Sequence, residues 1–285
     1  MRVEHTEPTH PPAVVSQTST PGLLMASLLL AASTGAALAP AAAAAPNPAA
    51  DLETAVQAAS RSLQQAWKGD PATAPLPWPR LRLVSAGGTL AAGCPGARGA
   101  SADTSALYCP DSGELLLDAK SLRGERERYG TWGIAYWIAT GLGQAFLARQ
   151  SSGTASLGAA ANLQAVCLAG VLLDSSPGLK PSLPAQRLSP ARTAYGSSDA
   201  DLQGTRSQRA YALLSGFGAT ASPCTAAAMN GLAADRVSDP KLLTEVGEGP
   251  DNRALTSVSN AATATCRKPL RCPRRVGEVF TASRP

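Results

Sequence analysis

Two apolar stretches decide the fold: Thr131–Gln150 reads TWGIAYWIATGLGQAFLARQ, and Ala159–Leu173 reads AAANLQAVCLAGVLL. Both have the length of a helix and are apolar on most faces, so each predicts a buried helix rather than a surface one. Gly141 and Gly143 weaken the first helix by up to about 1 kcal/mol each relative to alanine. These helices need other elements to cover them, and candidates lie on both sides in the sequence.

Three further helices are predicted around this pair. Asp51 is a suitable N-cap for a helix that runs to about Trp67. A helix from Asp201 to Phe217 follows the apolar pair, and Thr225 is a candidate N-cap for a last helix that runs to Asp235. The polar side of the Asp201–Phe217 helix is assigned to Gln203, Arg206, Gln208 and Arg209.

Short strands are predicted between the first helix and the apolar pair. Leu81–Val84 is one, and Ala106–Cys109 and Glu114–Asp118 form a hairpin around the tight turn Pro110–Gly113. The whole pattern predicts an α+β fold, dominated by helices, with one domain over residues 51–236. A polar, basic tail follows over residues 237–285.

The N-terminal region indicates export. Gly22–Ala39 reads GLLMASLLLAASTGAALA, about 18 uncharged residues, which is the lower limit for crossing a bilayer. Small residues follow it, so a signal peptide cleaved near residues 37–39 or within 41–45 is predicted, with an uncleaved membrane anchor as the main alternative. A soluble alanine-rich helix or linker is the third reading. Residues 1–21 are predicted to be disordered and 40–50 to be an Ala/Pro linker.

Histidine and charge exclude several classes of function. The two histidines are His5 and His10, so the folded part of the chain lacks the commonest general base and the commonest transition-metal ligand. A Ser-His-Asp or Cys-His hydrolase is therefore excluded unless the N-terminus folds back into a site. The formal net charge of +5 is small and scattered, and no nucleic-acid motif is present, so a nucleic-acid partner is not expected.

The cysteines agree with export. Their number is even and all follow the apolar N-terminal segment, which favours disulfides in an oxidising compartment over buried free thiols in a cytosolic protein. Spacing alone leaves their pairing open. They are Cys94, Cys109, Cys167, Cys224, Cys266 and Cys272.

Several short pieces between Cys94 and Cys224 occur in an order and spacing that resemble the bacterial neutral zinc metallopeptidase family. Members of that family carry a pattern close to AHExGH and, later, ELQADCxAG. Leu107–Pro110 resembles the family's FYCP segment, Leu116–Asp118 resembles its YLD, and Ile134–Ala139 resembles its AYVIA. The second motif is matched by Leu163–Ala165, Cys167 and Ala169–Gly170. The family's GTSAQR…G segment is matched by Gly204–Thr205, Ser207–Arg209 and Ser215–Gly216. The resemblance implies a zincin-like domain and pairs Cys94 with Cys109 and Cys167 with Cys224, which leaves Cys266 and Cys272 to pair by elimination.

The departures from the family pattern fall on its chemistry. Thr140 and Gln144 stand where the family has its two histidine ligands, and Gly141 stands where it has the catalytic glutamate. Asn162 replaces the third ligand, and Val166 replaces the aspartate four residues later. Zinc needs thiolate, imidazole or carboxylate ligands, and glycine cannot take a proton from water. The resemblance therefore implies a degenerate member that binds no zinc and has no other cofactor.

The residues left in the degenerate site have a structural interpretation. Thr140 can hydrogen-bond to its own helix backbone. Gln144 and Asn162 would pair as amides in the former metal cavity, which Val166 and Gly141 would help to fill. The leading hypothesis is an exported, inactive homologue with a binding or scaffolding role toward a peptide or protein partner.

Two other hypotheses remain open. The first is an active peptidase or hydrolase that uses non-zinc chemistry, for which Asp111, Glu114 and Asp118 are the nearest candidate carboxylates. The second is a structural protein of the cell envelope that uses the basic residues of its C-terminal tail. Neither the partner nor the oligomeric state follows from the sequence.

Overall fold

The computed structural model describes residues 48–84, 90–94, 104–150, 158–179 and 200–246. These residues belong to one structural unit, which starts at Pro46. The predicted signal peptide or anchor at 22–39 lies outside the described residues, and so do Cys266, Cys272 and most of the predicted tail.

Helices make up most of the described chain. They are α1 (Pro48–Gly69), α2 (Ala119–Tyr129), α3 (Thr131–Gln150), α4 (Ala159–Ser175), α5 (Ala200–Gln203), α6 (Arg206–Gly216), α7 (Ala226–Ala233) and α8 (Pro240–Glu245). The two apolar stretches are α3 and α4, so the prediction of two buried helices is confirmed. All residues of α3 from Trp132 to Gly143 are buried.

A three-stranded sheet accompanies the helices. Its strands are β1 (Arg80–Val84), β2 (Ala106–Cys109) and β3 (Glu114–Asp118). The order is β1-β3-β2, with β1 parallel to β3 and β2 antiparallel to it. The predicted hairpin is therefore confirmed as β2–β3, and the predicted single strand joins the other side of β3.

A main core holds the helices together, and a second, smaller cluster is formed by Leu90, Cys94, Leu107, Cys109 and Leu116. α3 packs against α1, α2, α4 and both strands of the hairpin, while α4 packs in addition against α5, α6 and α7. The apolar side chains of α3 and α4 are thus covered on most sides, which is why their sequences need no polar face. The fold is α+β and dominated by helices, as predicted.

Disulfides tie the periphery to this core. Cys94, at the end of a short 3-10 helix (Leu90–Gly93), is bonded to Cys109 of β2, and the two Cα atoms lie 5.4 Å apart. Cys167 of α4 is bonded to Cys224, which precedes α7, with a Cα–Cα distance of 5.5 Å. These are the pairs that the family resemblance implies, and they indicate an oxidising environment.

Three local predictions differ from the structure. α1 begins at Pro48, so Asp51 is no N-cap; it lies in the first turn, where it bonds to Arg126 of α2. The helix predicted from Asp201 to Phe217 is broken in two, because Gly204 has a φ of 78° and Thr205 starts a new helix. α2 follows β3 directly, capped by the side chain of Asp118, and no sequence pattern had indicated it.

The C-terminal boundary of the core also lies further along the chain than residue 236. Leu242 and Leu243 of α8, together with Val246, are buried in the same core. Among the helices that the structure describes, none combines the length and the apolar character that a bilayer crossing requires.

Candidate functional site

The five positions of the degenerate motif lie on α3 and α4, which cross at close range. A Cβ atom on Gly143 would lie 3.0 Å from both the Cα and the carbonyl carbon of Ala165. The two backbones therefore meet at van der Waals distance, and only glycine fits at this point of α3. This close approach leaves little volume between the helices beside the motif positions.

Leu115 of β3 takes the place in which a side chain at position 141 would begin. A Cβ atom on Gly141 would lie 2.9 Å from Cδ2 and 3.2 Å from Cγ of Leu115, and closer still to its Cδ1. Leu115 is fully buried. A glutamate at position 141 would thus collide with Leu115 of the sheet, which fills this space.

Thr140 is bonded within its own helix. Its Oγ1 donates to the carbonyl oxygen of Tyr136 over 2.9 Å, which is the backbone contact expected from the sequence. The side chain is 2% exposed, so this hydroxyl is shielded from water. Thr140 therefore serves the helix at a position where the family has a metal ligand.

A buried polar pair lies next to Thr140. Burial raises the pKa of Tyr136 to about 12, and the positive charge of Arg209 acts in the opposite direction. Burial lowers the pKa of Arg209, whose guanidinium donates to the carbonyl oxygen of Gly204. The surroundings of Tyr136 thus favour a neutral phenol throughout the physiological pH range.

Gln144 is turned toward the hairpin. Its Oε1 accepts a hydrogen bond of 3.0 Å from the backbone N–H of Tyr108 in β2. The side chain of Tyr108 also packs under the guanidinium of Arg149, whose Cζ lies 5.6 Å from the ring centroid. Gln144 therefore fixes the position of β2 against α3.

Asn162 has a different partner, so the predicted pairing of the two amides is wrong. Its Nδ2 donates to the carbonyl oxygen of Gln203 at the end of α5, over 2.9 Å. This bond joins α4 to the turn before α6, whereas Gln144 joins α3 to β2. Val166 is buried in the core. The two amides each satisfy a backbone group of a neighbouring element.

The residues at these positions do not fit zinc. Thr140, Gln144 and Asn162 are neutral donors of poor affinity, and all three are engaged in hydrogen bonds to backbone atoms. Cys167 of α4, which carries a soft donor atom, is held in a disulfide with Cys224. Across the described ranges, no group of three His, Cys, Asp or Glu residues comes together.

Two of the carboxylates considered for non-zinc chemistry, Glu114 and Asp118, lie far apart. Glu114 and Asp118 occupy opposite ends of β3, about 13 Å apart at 3.3 Å per residue. Hydrogen bonds from Arg80 lower the pKa of Glu114, and Asp118 accepts from the backbone N–H groups of Lys120 and Ser121. Asp111 is exposed in the turn. Glu114 and Asp118 therefore do not form a carboxylate pair for general acid-base work.

Polar residues of the α5–α6 corner lie inside the protein, contrary to the sequence prediction. Gln203, Gln208 and Arg209 are buried, and of the four residues assigned to the polar side only Arg206 is exposed. Gln208 completes a capping box with Thr205, and its Nε2 also donates to Asp235 over 2.8 Å. The Thr-x-x-Gln spacing at 205–208 is the signal that identifies this cap.

The chain was compared with protein-family models, with curated proteins and with solved structures, and none of the three comparisons gave a match. The resemblance to the neutral zinc metallopeptidases therefore rests on the order and spacing of the motifs themselves.

Proposed function

We propose that the protein is an exported, catalytically inactive homologue of the neutral zinc metallopeptidases that has kept a binding or scaffolding role. The observation that carries the proposal is the packing at position 141, where the family has its catalytic glutamate. Gly141 stands there, and Leu115 fills the space that a side chain would need. A site that had only lost its metal would keep room for the side chain of the base. Here Leu115 packs against Gly141, so that room is gone.

The neighbouring positions support the same proposal. Each polar residue that replaces a ligand is used for structure: Thr140 bonds its own helix, Gln144 bonds β2 and Asn162 bonds the α5–α6 corner. Neutral groups of this kind avoid the cost of clustering ionisable side chains where no metal compensates them. This is the pattern expected of a fold that is retained after its catalytic residues have been lost.

Export is supported by the disulfides and by the apolar segment at residues 22–39. Disulfides persist in oxidising compartments, which for an exported bacterial protein means the periplasm or the cell surface. The segment acts either as a cleaved signal peptide or as an anchor. Fractionation of the native cell, with mass spectrometry of the mature N-terminus, distinguishes these two outcomes.

The proposal is tested by measuring metal and activity on the same sample. The mature, tag-free, disulfide-intact protein is equilibrated with zinc, desalted and analysed for metal content, and its proteolysis of an unstructured fluorescent substrate is followed with and without a chelator. We expect well below one zinc per chain and no chelator-sensitive cleavage. Stoichiometric zinc together with cleavage that the chelator abolishes would overturn the proposal.

A further inference from the structure

The sheet has two outer edges, and they differ in how their backbone groups are satisfied. On β2, the outward N–H of Tyr108 donates to Gln144, and the hydroxyl of Thr104 bonds both the N–H and the carbonyl of Ala106. Side chains therefore occupy this edge at alternate residues, which closes it to another strand. The closed edge is the one beside the degenerate motif.

β1 has the opposite character. Arg80 donates its backbone N–H to Gly113 next to β3, and the parallel register pairs Arg80 with Glu114 and Arg82 with Leu116. Alternate residues of a strand direct their backbone groups to opposite sides, so those of Leu81 and Leu83 point away from β3. In the described part of the chain, no element pairs with this outer edge.

The side chains along β1 carry an excess of positive charge. Arg80 and Arg82 lie on one face of the sheet, with side chains 75% and 46% exposed. Both bind the carboxylate of Glu114, at 2.6 Å and 3.3 Å. Two guanidinium groups thus share one carboxylate, and the exposed parts of both remain able to pair with an acidic group next to β1.

We propose that the outer edge of β1 binds an extended peptide with alternating acidic and apolar residues, which adds to the sheet as a fourth strand. The backbone groups of Leu81 and Leu83 pair with those of the peptide, as in other cases of strand addition. Acidic side chains on the added strand lie beside Arg80 and Arg82, and apolar ones beside Leu81 and Leu83 on the opposite face.

The charge on β1 selects against the commonest competitor, a second copy of the same strand. Pairing of two β1 strands would place arginines against arginines, which is destabilising. An acidic strand has the complementary charge. This proposal deepens the binding role given above and rests on it only for the expectation that the protein has a peptide partner.

The test uses the full, disulfide-intact chain and a fluorescein-labelled peptide, Thr-Glu-Val-Glu-Val-Glu-Thr, with binding followed by fluorescence anisotropy. Saturable binding with a Kd below about 1 mM is expected, weakened by added salt. Two isomers of the peptide are compared, one N-methylated at both valines and the other at two glutamates. Only one set of amides faces β1, so one isomer binds like the parent and the other about ten-fold more weakly. Which isomer loses binding reports whether the peptide adds parallel or antiparallel.

A matched pair of variants tests the location. Arg82→Gln is expected to weaken binding by up to about five-fold, while Arg61→Gln, on the exposed side of α1, leaves it unchanged. Absence of saturable binding, equal binding of both methylated isomers, equal binding of a peptide with lysine in place of glutamate, or equal effects of the two variants would each overturn the proposal. None of these results changes the zinc measurement, so failure here is distinguishable from failure of the proposed function.

Discussion

Substitution of Gly141 by alanine tests whether Leu115 occupies the space that a side chain at position 141 would need, which is the observation behind the proposed loss of a catalytic base. The added Cβ would lie 2.9 Å from Cδ2 and 3.2 Å from Cγ of Leu115, so a buried contact must shift. Overpacking of this kind costs about 1–3 kcal/mol, and the better helix propensity of alanine returns up to about 1 kcal/mol. We expect a net loss of about 0–3 kcal/mol in the free energy of unfolding.

A double-mutant cycle isolates the contact. Leu115→Ala costs about 2–5 kcal/mol by itself but removes the obstacle, so Gly141→Ala added to it should stabilise by up to about 1 kcal/mol. The coupling energy is then about 1–3 kcal/mol. Gly124→Ala in α2 is the matched control, because the nearest atom to its Cβ is Nη2 of Arg128 at 3.7 Å, and it should simply stabilise.

The assay is urea unfolding of the oxidised protein, followed by tryptophan fluorescence and circular dichroism, with the midpoints and slopes of both probes compared. A coupling energy near zero, or a Gly141→Ala variant as much stabilised as Gly124→Ala, would refute the reasoning. In that case position 141 would still have room for a side chain.

Three further predictions use the same unfolding measurements. Gln144→Leu leaves the N–H of Tyr108 without its acceptor, so a loss of about 1–3 kcal/mol is expected, and an unchanged midpoint would show that water replaces the amide. The pKa of Tyr136 is about 12 against an ordinary 10.0, so the neutral buried phenol contributes fully to the free energy of unfolding below pH 10, and this contribution is lost as the pH rises toward 12. Tyr136→Phe should therefore reduce the loss of stability at alkaline pH. An alkaline stability profile identical to that of the wild type would contradict the assignment. Replacing Cys167 and Cys224 together by serine opens a loop of 57 residues and should cost about 4 kcal/mol, whereas a loss under about 1 kcal/mol would mean that the bond constrains the unfolded chain little.

Local sequence patterns predicted those elements whose secondary structure can be read from their own residues. The hairpin β2–β3 follows from two apolar runs around Pro110–Gly113, and α3 follows from an uninterrupted apolar stretch with the length of a helix. Its neighbour α2 was not predicted, because it is polar and depends on the cap that Asp118 provides at the end of β3. The break at Gly204 was also missed, since a single glycine is compatible with a continuous helix until the capping box at Thr205 is recognised.

The candidate site, too, could be predicted only in part from the sequence. The sequence showed that the residues at the positions matching the family motif are poor zinc ligands and include no base, because residue identity alone decides whether a side chain can bind metal or take a proton. It could not identify the partners of the replacements. Gln144 and Asn162 are nearly equivalent as amides, and only the packing of α3 on β2 and of α4 on the α5–α6 corner directs one to Tyr108 and the other to Gln203.

By itself, the sequence predicted the α+β class and the two buried helices, since both depend on composition and periodicity along the chain. The proposed loss of a zinc ligand set rests on the family resemblance and on the identities of the residues at its motif positions. Only the tertiary structure decided that Leu115 fills the space beside Gly141, and that side chains occupy the outer edge of β2 while no described element pairs with the outer edge of β1. Both depend on which atoms of distant residues meet: Leu115 lies 26 positions before Gly141, and Gln144 lies 36 after Tyr108. No local pattern encodes contacts of that kind, because they are set by how the elements pack.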